Sequence, residues 1–169
     1  MDKQQLEDII NNTCSNIFPR NIVAVCTKLG ITVQETAQFP NNISGAIFKE
    51  DEKYFILVNK FHSIGRKSFT IAHELGHYIL HKDLLDENSE LVSYIKSNDK
   101  ICPALARGLD YNTIEKEANN FAAEILMPEK KFICKCETAN SIEEVANYFG
   151  VSVQAASIRA DKLGGWFFL

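Results

Sequence analysis

Two histidines four positions apart, with a glutamate directly after the first, stand at His73-Glu74-Leu75-Gly76-His77. On an α-helix, four residues rise about 6 Å and nearly close a turn, so both imidazoles project from one face and can reach one ion. Glu74 lies beside that face, placed to meet a water on the metal rather than the metal itself. The chemistry this spacing supports is metal-assisted hydrolysis. A zinc ion lowers the pKa of its water from 15.7 to about 7, and Glu74 takes the proton as general base. With four histidines in 169 residues, the chance occurrence of such a motif is on the order of 0.01, so it carries information despite its shortness.

His81 extends the same stripe but lies about 12 Å along the axis from His73, too far for one ion held by bonds of about 2.1 Å. Its plainer role is a helix C-terminal histidine interacting with the dipole. Polarising a substrate carbonyl is a second role. His62 precedes the helix and reads as a loop residue. The third ligand is expected from a carboxylate on a second helix, and residues 113–127 offer Glu115, Glu117 and Glu124. Glu115 shares its face with Ala118, Ala122 and Ile125, whose small side chains permit close helix approach; Glu117 shares a more mixed face with Asn120, Phe121 and Glu124. Glu115 is the choice, with Glu117 as the alternative ligand and a cap with Asn112 as the structural alternative for Glu115. Tyr78, His81, Tyr94 and Tyr111 are the candidates for stabilising an oxyanion.

These residues need rigid elements. Apolar spacing of three and four predicts the metal-bearing helix over Arg66–His81, after helices at 3–11 and about 20–29. Ile31–Glu35 reads as a short strand. Ile43–Lys49 and Tyr54–Asn59 read as a hairpin around a four-residue loop, Glu50-Asp51-Glu52-Lys53, and the unbroken apolar run Tyr54–Val58 predicts a strand covered on both faces. One strand of this hairpin could border the cleft and pair with a peptide backbone. Pro128 ends the helix that starts at Thr113. Ser141-Ile142-Glu143-Glu144 has the form of a capping box opening a helix to Phe149, Gly150 breaks it, and Ser152 caps a last helix to Leu163. Residues 82–111 carry no legible pattern. They read as a lid, a substrate-selecting loop or an insertion. The fold class expected is α+β: a small N-terminal β-sheet packed on a mostly helical domain, one domain over 1–169 with 141–163 part of it; the resemblance given below implies that this domain is a zincin-like metallopeptidase.

Composition narrows the function. Eighteen basic against 22 acidic residues give a net charge of −4, which argues against a partner bound through a phosphate backbone. The paired C-terminal helices resemble a helix-turn-helix in outline, but 141–169 carries Glu143, Glu144 and Asp161 against Arg159 and Lys162, so packing is the better reading. Apolar runs fall short of the roughly 20 residues that span a bilayer. The polar N-terminus is not a signal peptide. Five cysteines without framework spacing read as reduced thiols of a cytosolic protein, and Cys134-Lys135-Cys136 lacks the spacing of a structural zinc site.

Two blocks resemble the ImmA/IrrE family of metallopeptidases. The first is Phe69-Thr70-Ile71-Ala72-His73-Glu74-Leu75-Gly76-His77-Tyr78-Ile79-Leu80-His81. The second, Ile114 to Pro128, is similar to the family's E-x-x-A-N-x-F-A…L-M-P segment, whose first glutamate is the zinc ligand and maps onto Glu115. The hairpin and the ending from Val151 to Gly164 also fit. The resemblance implies a zinc endopeptidase with His73, His77 and Glu115 on the metal and Glu74 as base. It further implies regulated proteolysis, with a helix-turn-helix transcriptional repressor as the expected protein substrate and a mobile element or stress locus as the setting. The alternative is a zinc-containing binding module that antagonises a regulator or antitoxin without efficient cleavage. Neither reading needs direct nucleic-acid or membrane contact, and neither sets an oligomeric state.

Overall fold

The computed structural model describes residues 3–87 and 111–165. In chain order they form α1 (Lys3–Cys14), α2 (Ile22–Lys28), β1 (Ile31–Thr36), β2 (Gly45–Glu50), β3 (Lys53–Asn59), α3 (Ile64–Leu80), α4 (Lys82–Glu87), α5 (Tyr111–Leu126), α6 (Glu129–Thr138), α7 (Ile142–Phe149) and α8 (Val153–Lys162). A small sheet followed by helices is the α+β class expected. Among the described residues, no helix is long and apolar enough to cross a membrane.

The sheet has the order β1-β3-β2, with β1 parallel and β2 antiparallel to the central β3. Register places Ile31 and Val33 beside Tyr54 and Ile56, and Ile47 across from Ile56. Ile31, Ile47, Ile56 and Val58 are buried and join Ile71, Ala72 and Leu75 of α3 in one core. The other face of β3 is only half-buried. Phe55 stacks on Phe48 with ring centres 5.5 Å apart. The expectation of a strand covered on both faces is therefore corrected: β3 is central in the sheet but alternates in burial along its length. Alternation was hidden because both faces carry apolar side chains.

The hairpin loop is also shorter than expected. Glu50 pairs with Lys53, which leaves Asp51 and Glu52 as a two-residue turn, both with positive φ (46° and 61°). That is the turn whose twist matches the strands. Its usual Asn-Gly or Asp-Gly signature is absent here, which is why the spacing read as four.

Two polar latches hold the elements around α3. Asn59, fully buried at the end of β3, donates from its amide to the carbonyls of Phe39, Pro40 and Ile43 at 3.4, 3.2 and 2.9 Å. Its carbonyl accepts from the Phe61 N–H at 3.0 Å, which sets the entry into α3. Ser63 then caps that helix, its hydroxyl accepting from the Arg66 N–H. At the far end of α5, Arg20 donates to the Ile125 carbonyl at 2.7 Å, and buried Arg159 donates to the Met127 carbonyl at 3.1 Å while pairing with Glu124. These guanidinium groups satisfy carbonyls that a helix end leaves unpaired.

Pro128 does not only end α5. With φ −56° it is the N-cap of α6, a helix absent from the sequence expectation, and Phe132 and Cys136 at i and i+4 are its buried face. Downstream, Ser141 accepts from the Glu144 N–H as the capping box requires, while the Glu144 carboxylate accepts from the Asn140 N–H. Gly150 closes α7 in the left-handed conformation, and any Cβ there would lie 2.6 Å from Pro19. Val145, Ala146 and Phe149 of α7 and Ala156 and Ala160 of α8 are buried, so this helix pair packs into the body of the fold.

Asn59→Ala removes the donor shared by the Phe39, Pro40 and Ile43 carbonyls and the acceptor of the Phe61 N–H, in a site with no exposure. It should destabilise the protein by about 1–3 kcal/mol. Equilibrium urea unfolding checks this; a midpoint equal to wild type would show that the latch carries no stability.

Candidate metal centre

Helix α3 turns His73 and His77 toward one point. Their rings lie edge to face, centres 4.7 Å apart, and their Nε2 atoms are 3.0 Å apart. Helix α5 packs against this stretch, and the contact is made at Gly76. A Cβ on Gly76 would lie 3.2 Å from both the Cα and the carbonyl oxygen of Ala118 and 3.1 Å from the Phe121 ring. Ala118 and Ala122, at 0 % exposure, are the small residues anticipated on the Glu115 face. The close approach brings Glu115 across to α3, with Oε2 at 3.3 Å from His73 Nε2 and Oε1 at 3.2 Å from His77 Nε2. These three side chains offer ligand atoms all within 4.8 Å of one another.

The electrostatics are those of a tightly coupled buried group. Burial works against the Glu115 charge, but hydrogen bonds with His73 and His77 outweigh it and bring the carboxyl down to about 2. Burial also opposes a charge on His73, yet the Glu115 hydrogen bond and the charges of Glu74 and Glu115 hold it above its ordinary value. For His77 burial prevails and the value falls. Glu74, at 0 % exposure, lies next to His73 in the core of the protein.

The donor set tests whether a metal fits. Two imidazole nitrogens and one carboxylate are the protein ligands of a His2Glu zinc site that keeps its fourth position open. Tetrahedral bonds of about 2.1 Å place donor atoms about 3.4 Å apart. The separations of 3.0, 3.2 and 3.3 Å come close to that without rearrangement of the helices. The group fits a divalent cation of the zinc type.

The other nitrogen of each histidine is also engaged. His73 Nδ1 lies 3.0 Å from Asn119 Oδ1, His77 Nδ1 lies 3.2 Å from His81 Nδ1, and His81 Nε2 lies 2.9 Å from Glu117 Oε2. Glu117, the alternative ligand, is thus directed to His81 and away from the His73–His77 pair. Asn119 was not singled out from the sequence. Its signal is its place four residues after Glu115, one turn along the same face.

Of the oxyanion candidates, Tyr78 is packed edge to face on Tyr54 at 4.7 Å under the Lys82 ammonium, and His81 is engaged as described. Tyr94 and the side chain of Tyr111 lie outside the described residues. So does 88–110, the greater part of the stretch 82–111; its first residues form α4. His62 contacts the Asn41 carbonyl at 3.2 Å, as a loop residue does. Cys134 and Cys136 sit on α6, and among the described residues neither belongs to a metal-holding group.

Comparison with known proteins places this geometry in context. The family model described as the IrrE N-terminal-like domain, a peptidase family, matches residues 26–161. A curated relative, the metallopeptidase ImmA of Bacillus subtilis (strain 168), is 27% identical over 120 residues, which is 70% of this chain and 62% of that protein. A solved structure of a Mycobacterium tuberculosis transcriptional regulator shares the fold with a TM-score of 0.63 at 20% identity, over 94% of this chain and 46% of that one. The chain therefore spans less than two thirds of the length of either.

If the Gly76 contact sets the helix spacing, Gly76→Val must push α5 outward. Overpacking of this kind should cost about 1–3 kcal/mol. Thermal and urea unfolding read the loss; wild-type stability in the variant would mean that α5 tolerates the displacement freely.

Proposed function

The chain belongs to the IrrE N-terminal-like peptidase family, and from that premise we propose that it is a zinc-dependent endopeptidase acting in regulated proteolysis in the cytosol. Its proposed substrate is a protein regulator, a helix-turn-helix repressor being the type the family resemblance suggests, and 1–169 works as one domain. The observation that carries this reading is the convergence of His73, His77 and Glu115 within 4.8 Å beside the buried carboxylate of Glu74. The names of the similar proteins, a metallopeptidase and a transcriptional regulator, agree with a protease working on transcription.

In this reading His73, His77 and Glu115 hold the metal. When bound, zinc supplies Lewis acidity toward water and toward a peptide carbonyl. The remaining chemistry belongs to the chain. Glu74 accepts the proton of the attacking water and delivers it to the departing amine, so one carboxylate serves both halves of the hydrolysis. Its burial keeps the carboxylate in a fixed place, next to the ligand pair and out of bulk solvent. The outer edge of β2, which pairs only with β3 among the described strands, offers backbone groups to an extended peptide.

Elemental analysis should find about one zinc per chain, lost in His73→Ala and His77→Ala. Glu74→Gln should keep the zinc and lose cleavage of the neighbouring locus's repressor, followed by mass spectrometry of fragments. A wild type free of metal would overturn the assignment. Cleavage by Glu74→Gln at the wild-type rate would remove Glu74 from its role. A zinc-loaded wild type that binds the repressor and leaves it intact would favour the binding-module alternative.

A further inference from the structure

We propose that the cavity between α1, α3 and α5 is a docking site for residues 166–169 of the same chain, Trp166-Phe167-Phe168-Leu169. The proposal is independent of the metal-site reading and needs no ion.

The cavity measures about 590 Å³, and its apolar wall is Leu6 and Ile10 of α1, Ile79 and Leu80 of α3, and Phe121 and Ile125 of α5. Packed interiors leave few voids larger than a water molecule, so an opening of this size has room for several side chains. Leu80 is 48% exposed at this wall. Two charged residues of the lining already have partners within the fold: Glu124 pairs with Arg159, and Arg20 donates to the Ile125 carbonyl. What the wall asks for is an uncharged, apolar occupant. The wall also backs the helix pair, since the Phe121 ring that lines it lies 3.1 Å from where a Gly76 Cβ would be.

The sequence supplies such an occupant. Residues 166–169 lie outside the described residues and carry four large apolar side chains in succession, three of them aromatic. Aromatic side chains bury 150–250 Å² each, and the stabilisation comes only with a surface to bury them on.

Placement makes this cavity the surface within reach. Helix α8 lies against its rim: Arg159 pairs with the lining residue Glu124, and Lys162 donates to Asn120 Oδ1 at 2.9 Å, beside Phe121. Gly164 and Gly165, with φ of 112° and 66°, close the helix in conformations suited to glycine. The Gly165 N–H donates to the Ala160 carbonyl at 2.9 Å, which holds the exit point against the last turn. From there four extended residues reach about 14 Å. So short a tether presents the segment at an effective concentration on the order of mM, which favours it over a second copy of the chain.

Trp166 is the single tryptophan, so its fluorescence in the full chain reads the segment alone. Its emission should be blue-shifted and shielded from acrylamide relative to the urea-unfolded chain, equally at every protein concentration. Nuclear Overhauser contacts should join the indole to the Ile79 and Ile125 methyl groups. Leu80→Glu places a charge on the wall at an exposed position, and should shift the emission to the red and raise the quenching; Leu80→Met should keep both as in wild type. A wild-type indole quenched as in the unfolded chain would overturn the proposal. So would shielding that grows with protein concentration, which assigns the cavity to a second copy, or a shielded indole with contacts to neither isoleucine. Wild-type emission in a folded Leu80→Glu would overturn it as well. Should Leu80→Glu fail to fold, the wild-type quenching and indole contacts decide.

Discussion

The contact on which the rest depends is the approach of α5 to the bare backbone of α3 at Gly76. Glycine in the middle of a helix is unfavourable by roughly 1 kcal/mol relative to alanine, and here it lies between the two histidines. With Ala118 and Ala122 opposite, it removes the side-chain layer that ordinarily separates two helices. Only then does a glutamate side chain span the gap to both imidazoles. The other features of the fold serve this contact. Asn59 and Ser63 set where α3 begins, Arg20 and Arg159 hold the end of α5, and the sheet backs the opposite side of α3.

A second theme is that both ring nitrogens of each buried histidine in the centre are engaged. His73 and His77 have 0 and 4 % exposure, where an unsatisfied ring nitrogen is costly. Each uses one nitrogen toward Glu115 and the other toward a neighbour on α5 or at the end of α3. The site is therefore a network spread over two helices rather than three isolated ligands.

What was legible in the sequence follows from range. The placement of His73, Glu74 and His77 on one helix is a matter of four positions and is written in their spacing. Glu115 was reached by helical phase, because the small residues that allow close packing mark its face. The partners of Glu117 and His81 were not legible: the two lie 36 positions apart, and no periodicity within either helix tells that they meet. Helix α6 was missed because Pro128 was read only as a stop, although proline is equally suited to start a helix. The hairpin turn was misjudged because Asp51 and Glu52 take positive φ without the glycine that normally announces it.

The candidate ligands on α3 and α5 stand 38 positions apart between His77 and Glu115, and both ends of that interval are pinned by packed helices. The grouping of the three side chains is set by those helices and not by the number of residues between them. Length and composition between α4 and α5 are thereby released from the geometry of the centre. A chain built this way can exchange or extend this interval while the grouping of His73, His77 and Glu115 stays in place, so that relatives can share the centre and differ in what lies between its two helices.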